Sequence, residues 1–345
     1  MASISLRPIT GGPVHHQWRA IRVKPRPPPK GTSFAGKTAV ITGANAGLGE
    51  ECASQMLELN LSHLIIAVRR VNSGEEVAAT LKKAHPDAKI DVWALDMLSY
   101  ESIQAFAEKC KTLPGLDIAI LNAGVNKLEP KFASTGHEET FQVNYLSTVL
   151  LAILLLPILS NKEHRKLQEP GRLAFIGSGL ANIAGFPERN AVPIIPAFDD
   201  LSKWNVQFAM DRYSTTKALL HVLTLKLSEI VSSDDVIINN PDPGYTKGTQ
   251  LLRESPTLMK PIVSLSKALL ARSLKEGMWA YIDAVSVRGK ESHGCFICDW
   301  QILPFHRVFY TTEGRKTAGR LWEETLQELS FASVRDILDS MQKKA

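Results

Sequence analysis

Cysteine is scarce. The 345-residue chain has four, at Cys52, Cys110, Cys295 and Cys298, too few for a disulfide scaffold and expected as free thiols in a reducing compartment. Long apolar runs are also lacking. The longest, Leu146 to Leu159, contains Ser147, Thr148 and Pro157, and as a helix it would rise about 21 Å against a hydrocarbon core of about 30 Å. It reads as a buried core helix, and no transmembrane segment is expected. The N-terminus has no apolar stretch of the secretory-signal kind. With 44% hydrophobic and 22% charged residues, composition excludes fibrous and disordered classes. Acids are absent from residues 1–33, which hold Arg7, Arg19, Arg22, Lys24, Arg26 and Lys30; the net charge of +5 therefore leaves about −1 on the remainder. A balanced body offers no basic stripe, so no nucleic-acid partner is expected. The basic tail resembles a mitochondrial presequence in composition, but the prolines between Arg26 and Lys30 would break an amphipathic helix. The expectation is a flexible or surface-draped tail and a cytoplasmic protein, with mitochondrial import as the alternative.

From Phe34 onward short apolar runs alternate with helical stretches. Strands are expected at Thr38–Ile41, His63–Val68, Ile90–Leu95, Asp117–Leu121, Arg172–Ile176, Val236–Ile238 and Cys295–Trp300. Their continuous apolar character predicts strands covered on both faces. Helical spacing is expected through Leu48–Leu59, Val77–Lys83, Ile103–Cys110, Phe141–Leu159 and Arg212–Ile230. The alternation predicts an α/β fold, a doubly wound parallel sheet of about seven strands with helices on both faces, in one domain over 34–310. A helical extension is expected over 311–345. Two stretches break the rhythm: residues 182–211, an apolar loop rich in proline, and residues 247–291, where short helices are expected on the substrate side. Loops of such length inside a compact domain are commonly functional.

The chemistry begins at Thr42-Gly43-Ala44-Asn45-Ala46-Gly47-Leu48-Gly49, between the first strand and first helix. Glycines permit a tight turn and close approach of backbone to a pyrophosphate, and a helix N-terminus presents unpaired N–H groups. Gly43, Asn45, Gly47, Leu48 and Gly49 are therefore expected to bind a dinucleotide. After the second strand, Arg69 and Arg70 stand where an acid would meet the ribose 2′-hydroxyl of NAD; a guanidinium there suits a 2′-phosphate, and NADPH is the expected cofactor. Asp96, ending the third strand, is placed to accept from the adenine amino group. Asn122-Ala123-Gly124, Asn144, Ser178 and Tyr213-Ser-Thr-Thr-Lys217 follow.

In this order these motifs resemble the short-chain dehydrogenase/reductase family over roughly residues 34 to 300, which implies a Rossmann fold. Tyr213 and Lys217, at i and i+4, share a helix face, so the ammonium is expected to lower the phenol pKa and make Tyr213 a general acid and base. Ser178 is expected to hydrogen-bond the substrate oxygen. The resemblance further implies that Lys217 binds the nicotinamide ribose, that Asn144 holds a relay water, that Pro243, Gly244 and Thr246 form the nicotinamide clamp, and that Asn122, Ala123 and Gly124 bind the cofactor. Two departures stand out: Gly248 occupies a position where the family often has Thr, with Thr249 next, and Ser178 and Tyr213 lie about 35 residues apart instead of about a dozen. His293 with Cys295 and Cys298 is not read as a metal site, because strand residues three apart face opposite ways and no second ligand pair exists.

The expected function is NADPH-dependent hydride transfer to a ketone or aldehyde of a fairly large apolar substrate. The basic leader, enlarged loop and C-terminal Leu321-Trp322-Glu323-Glu324 segment resemble fungal family members of secondary-metabolite biosynthesis. Oxidation of a retinol- or steroid-like alcohol and a non-catalytic dinucleotide-binding regulator are the alternatives. The apolar helices Tyr145–Leu159 and Arg212–Ile230 suggest a homodimer face that the loop could obstruct. Phe186 and Phe198 are expected to line the substrate site.

Overall fold

A computed structural model describes residues 2–9, 23–161, 169–202, 204–248 and 271–342. In chain order the principal elements are β1 (Thr38–Thr42), α1 (Gly47–Glu58), β2 (His63–Val68), α2 (Val71–Ala84), β3 (Lys89–Ala94), α3 (Tyr100–Cys110) and β4 (Ile118–Leu121). There follow α4 (Glu139–Ser160), β5 (Gly171–Phe175), α5 (Val206–Ile230), β6 (Val236–Asp242), α6 (Leu274–Ile282), β7 (Cys295–Cys298) and β8 (Gln301–Leu303), and then α7 (Thr312–Glu328) and α8 (Val334–Ser340). The sheet runs β3-β2-β1-β4-β5-β6-β7-β8, and only the β7–β8 pair is antiparallel.

Side-chain alternation divides the core between the two faces. Val40 and Ile65 join the cluster containing α3, α4, α5, α7 and α8, whereas Ala39, Ile41, Leu64 and Ile66 join the one containing α1, α2 and α6. Covering both faces is what the continuous apolar strand runs require. Strand order reverses between β1 and β4, and ligands of such sheets bind at the strand C-termini beside that switch.

The strand expected at Cys295–Trp300 ends at Cys298, and Asp299 and Trp300 turn the chain into β8, an eighth strand that was not expected. Helix α5 starts at Val206, six residues ahead of its expected start. The stretch 182–211 is not one unstructured loop: short 3₁₀ turns occupy Gly179–Ile183, Pro187–Asn190 and Ile195–Phe198. Of the helices expected in 247–291, Leu251, Leu252, Leu265 and Leu269 lie outside the described residues, while Trp279 is on α6. Residues 2–9 are not a loose tail. Ser3 is buried, accepting from Phe296 N–H at 2.8 Å and, through its carbonyl, from Tyr310 O–H at 2.7 Å.

Helix α4 is long and apolar enough to cross a membrane, yet most of it is buried within the chain. An all-round apolar helix needs partners on every side. The C-terminal extension supplies several: Leu321, Trp322, Leu326, Val334 and Leu338 join the same cluster, and Tyr145 Oη meets Thr325 Oγ1 at 3.1 Å. The α4 part of the face read as a homodimer surface packs against α7 and α8.

Candidate active site

The glycine turn after β1 is locked to the turn after β4. Asn122 Nδ2 donates to the Thr42 carbonyl at 2.9 Å, Ala123 N–H donates to Thr42 Oγ1 at 2.8 Å, and Tyr281 O–H of α6 donates to Asn122 Oδ1 at 3.0 Å. A Cβ on Gly49 would lie 2.5 Å from the Gly43 carbonyl oxygen, so the close approach of turn and helix excludes any side chain there. Gly43, Asn45, Gly47, Leu48 and Gly49 line one large cavity with Asp96, Asn122, Ala123 and Gly124. At its outer end Arg69 and Arg70 are exposed and face the same space. Asn45 Nδ2 donates to Ser73 Oγ at 2.6 Å, joining the glycine turn to the first turn of α2. Asp96 also holds its own turn, accepting from Leu98 N–H at 3.0 Å. Glycine-lined backbone, a helix N-terminus, two guanidinium groups at one end and an ammonium at the other form a donor set that fits a nicotinamide dinucleotide.

Ser178, Tyr213 and Lys217 meet at the opposite end of the same cavity. Ser178 caps the turn after β5, where its Oγ accepts from Leu180 N–H at 3.3 Å. Lys217 Nζ donates to the Ile176 carbonyl at 2.7 Å and lies 5.7 Å from the centre of the Tyr213 ring. The expected lowering of the Tyr213 pKa is not what this arrangement produces. Burial raises it, the Asp242 carboxylate adds to the rise, and the nearby Ser178 hydroxyl only partly opposes them. Burial likewise pushes Lys217 down to about 8, against the pull of Asp242.

Asn144 does not line the cavity. It sits in a π turn, Gln142–Leu146, within α4, an irregularity common at functional sites. Its Oδ1 accepts from Val125 N–H at 2.8 Å while Nδ2 donates to the Val125 carbonyl at 2.8 Å and to Thr216 Oγ1 at 3.1 Å. The side chain fastens the backbone behind Gly124, where an added Cβ would lie 3.2 Å from Asn144 Oδ1 and 3.6 Å from Lys217 Nζ.

Pro243, Gly244 and Thr246 reach the cavity beyond β6. Thr246 Oγ1 is turned toward the clamp's own backbone, 3.1 Å from the Gly244 carbonyl. Gly248 has φ +80°, left-handed backbone in which a threonine would be strained, which gives a physical reason for the departure there; Thr249 is outside the described residues.

The loop expectation needs correcting in its middle, while its two ends line the cavity. Phe186 and Phe198 are fully buried, and Phe198 stacks on Phe141 of α4 at 4.1 Å; neither lines the cavity. The apolar walls are Leu180, Ile183, Val206, Phe208, Met210 and Tyr245. Leu180, Val206, Met210 and Tyr245 are among the few large apolar side chains left exposed. At about 1710 Å³ the cavity exceeds the roughly 300–1,000 Å³ typical of one small-molecule site, leaving room for a substantial second molecule beside a dinucleotide.

Sequence reasoning missed Asp242 because Asn239-Asn240-Pro241-Asp242 reads as a turn; β6 in fact continues through it, paired with Cys298. Asp242 lines the cavity and accepts from Gly244 N–H at 2.9 Å and from Cys298 Sγ at 3.3 Å. Ser73 and Tyr281 were missed because neither belongs to a local motif. Both are visible only through contacts with Asn45 and Asn122.

A doubly wound sheet with a dinucleotide cradle at its switch point and a serine, tyrosine and lysine at one cavity end defines a nicotinamide-dependent oxidoreductase. Residues 37–189 match the sequence profile of the short chain dehydrogenases. The chain is 48% identical over 322 residues to the short chain dehydrogenase/reductase mfmJ of Annulohypoxylon moriforme, covering 93% of this chain and 92% of that one. It is 40% identical over 331 residues to the short chain dehydrogenase virL of Hypocrea virens, covering 94% of each. This chain belongs to the short-chain dehydrogenase/reductase family. Its fold is shared with L-sorbose reductase from Gluconobacter frateurii, solved with NADPH and L-sorbose, at TM-score 0.58 and 21% identity over 77% of this chain and 96% of that one. A Mycobacterium paratuberculosis protein gives TM-score 0.61 at 22% identity, over 86% and 94%.

Proposed function

We propose that the protein is an NADPH-dependent reductase acting on a ketone or aldehyde of a fairly large apolar substrate, in the secondary metabolism of a fungus. The observation that carries this reading is a single cavity with Arg69 and Arg70 at one end, Ser178, Tyr213 and Lys217 at the other, and an apolar wall beside the latter. Arg69 and Arg70, with Asn45 and Ser73 between them and the glycine turn, would hold the 2′-phosphate end; Asp96 would meet the adenine, and Pro243–Thr246 the nicotinamide end. When bound, NADPH supplies the hydride. The chain's own residues bind and orient the carbonyl and deliver the proton: Ser178 donates a hydrogen bond to the carbonyl oxygen, and Tyr213 gives that oxygen its proton as the alkoxide develops. The complete Ser178, Tyr213 and Lys217 set has no use in a silent regulator. The four buried thiols suit a reducing, cytoplasmic compartment.

Cofactor choice is tested by titrating wild type and Arg69→Ala with NADPH and NADH. Wild type is expected to bind NADPH more tightly, and Arg69→Ala to lose about tenfold or more for NADPH alone, because only NADPH carries the phosphate. Equal wild-type affinity for the two cofactors would contradict the proposal.

A further inference from the structure

Arg272 lies 26 residues beyond the end of the Pro243–Thr246 turn in sequence yet is built into it. Its backbone N–H donates to the Tyr245 carbonyl at 2.8 Å, its carbonyl accepts from Lys247 N–H at 2.9 Å, and it pairs with Thr246 as an isolated parallel bridge. Its guanidinium is buried under the turn. There Nη2 meets Asp299 Oδ1, Nη1 is directed at the Pro243 carbonyl at 3.4 Å, and the group lies 5.0 Å from the centre of the Trp300 ring. A Cβ on Gly244, whose φ is +76°, would fall 2.3 Å from Arg272 Nη1. The glycine of the clamp is thus required by the guanidinium behind it as well as by its own backbone.

The residues that hold the guanidinium are themselves held at some cost. Asp299 and Trp300 form the two-residue connection between β7 and β8 with φ of +53° and +56°. Hairpins of this type are normally made with Asn-Gly or Asp-Gly, and a tryptophan in left-handed backbone is strained. The strain is retained at a place where both side chains face Arg272, and Asp299 also reaches the cavity.

We infer that Arg272, held between Asp299 and Trp300, is a positioning residue that sets the Pro243–Thr246 turn and through it the affinity for the nicotinamide half of the cofactor. This rests on the cofactor reading above. A planar guanidinium can pair with a carboxylate, stack on an indole and point at a carbonyl together, which an ammonium cannot do.

The test compares equilibrium binding of NADPH with that of adenosine 2′,5′-bisphosphate, which carries the adenine and 2′-phosphate end and no nicotinamide. Wild type, Asp299→Asn, Arg272→Lys and Arg272→Met are titrated, with melting temperatures measured alongside. Arg272→Met leaves a buried carboxylate without its counter-charge and risks misfolding, so the double variant Arg272→Met/Asp299→Leu removes both charges together. The expected result is a loss of NADPH affinity of about tenfold to a hundredfold in the Met variants and a smaller loss in Arg272→Lys, while bisphosphate binding stays within about twofold of wild type. Unchanged NADPH affinity in the folded double variant, or equal weakening of both ligands, would overturn the inference while leaving the cofactor reading intact. Wild type that binds neither ligand would overturn the cofactor reading itself, and this inference with it.

Discussion

At the β1–β2 end, the cavity is lined by residues from four short segments, Gly43–Gly49, Arg69–Ser73, Leu95–Leu98 and Asn122–Gly124, with hydrogen bonds joining the first to the second and to the last. The apolar end draws Leu180, Ile183, Phe208 and Met210 from either side of a stretch whose middle turns away from the cavity. There Phe186, Ile194 and Phe198 enter the core, Glu324 of α7 accepts the Ile194 and Ile195 N–H groups at 2.7 and 2.9 Å, and His137 meets Asp199 at 2.9 Å and Glu328 at 3.1 Å. The first wall is fixed by the sheet that every strand builds. The second hangs on the C-terminal extension, so its shape depends on groups far from the cavity. A family can therefore keep its cofactor chemistry constant while reshaping the substrate wall by altering a loop and the helix that clamps it.

The sharpest way to break this comparison is Phe198→Ala. Truncating a fully buried ring costs about 3–5 kcal/mol. The expected outcome is a large drop in denaturant midpoint, with the ratio of kcat/KM for bulky over small carbonyls little changed. A changed ratio at wild-type stability would return Phe198 to the substrate wall.

A pH effect of intermediate size is expected at the clamp between loop and extension. Burial pulls the His137 pKa down, but hydrogen bonds to Asp199 and Glu328 outweigh it and raise the value from 6.5 to about 9. A group whose pKa is raised on folding contributes stability that is full below the unfolded value and is lost as pH rises through the folded one. Melting temperature should therefore decline between about pH 6.5 and 9 in wild type, and His137→Gln should be less stable at the acid end and flatter across the window. Parallel curves for the two proteins would remove His137 from the clamp.

The smallest effect is expected on the wall itself. Met210→Ala should raise KM for a bulky apolar ketone about three- to tenfold, leaving NADPH binding and a small carbonyl unaffected, since only contacts remote from the reacting atoms are lost. An equal change for both substrates would sink the assignment of Met210 to the substrate wall.

The same division decides what the sequence made legible. The first seven strands could be located because each contains a continuous or nearly continuous apolar run, although β6 was read only to Ile238, and the glycine turn, Asn122–Gly124, Ser178, Tyr213 and Lys217 because each is a local pattern at a strand end or on a helix face. Strand β8 could not be read, since three residues past an Asp-Trp turn carry no periodicity of their own. Phe186 and Phe198 were misassigned for a related reason: an apolar residue in a loop can face a cavity or the core, and here stacking on Phe141 decided for the core. The direction of the Tyr213 pKa was missed because i and i+4 spacing says that Lys217 shares a face with it. That spacing is silent on the Ile176 carbonyl that holds the ammonium and on Asp242 across the sheet.

Tyr213→Phe tests the proton-donor assignment most directly. Removing one hydroxyl leaves the ring, the helix and Lys217 in place, so NADPH affinity should match wild type while kcat for carbonyl reduction falls by about 10²–10⁴. Wild-type turnover in a variant that still binds NADPH would contradict the account.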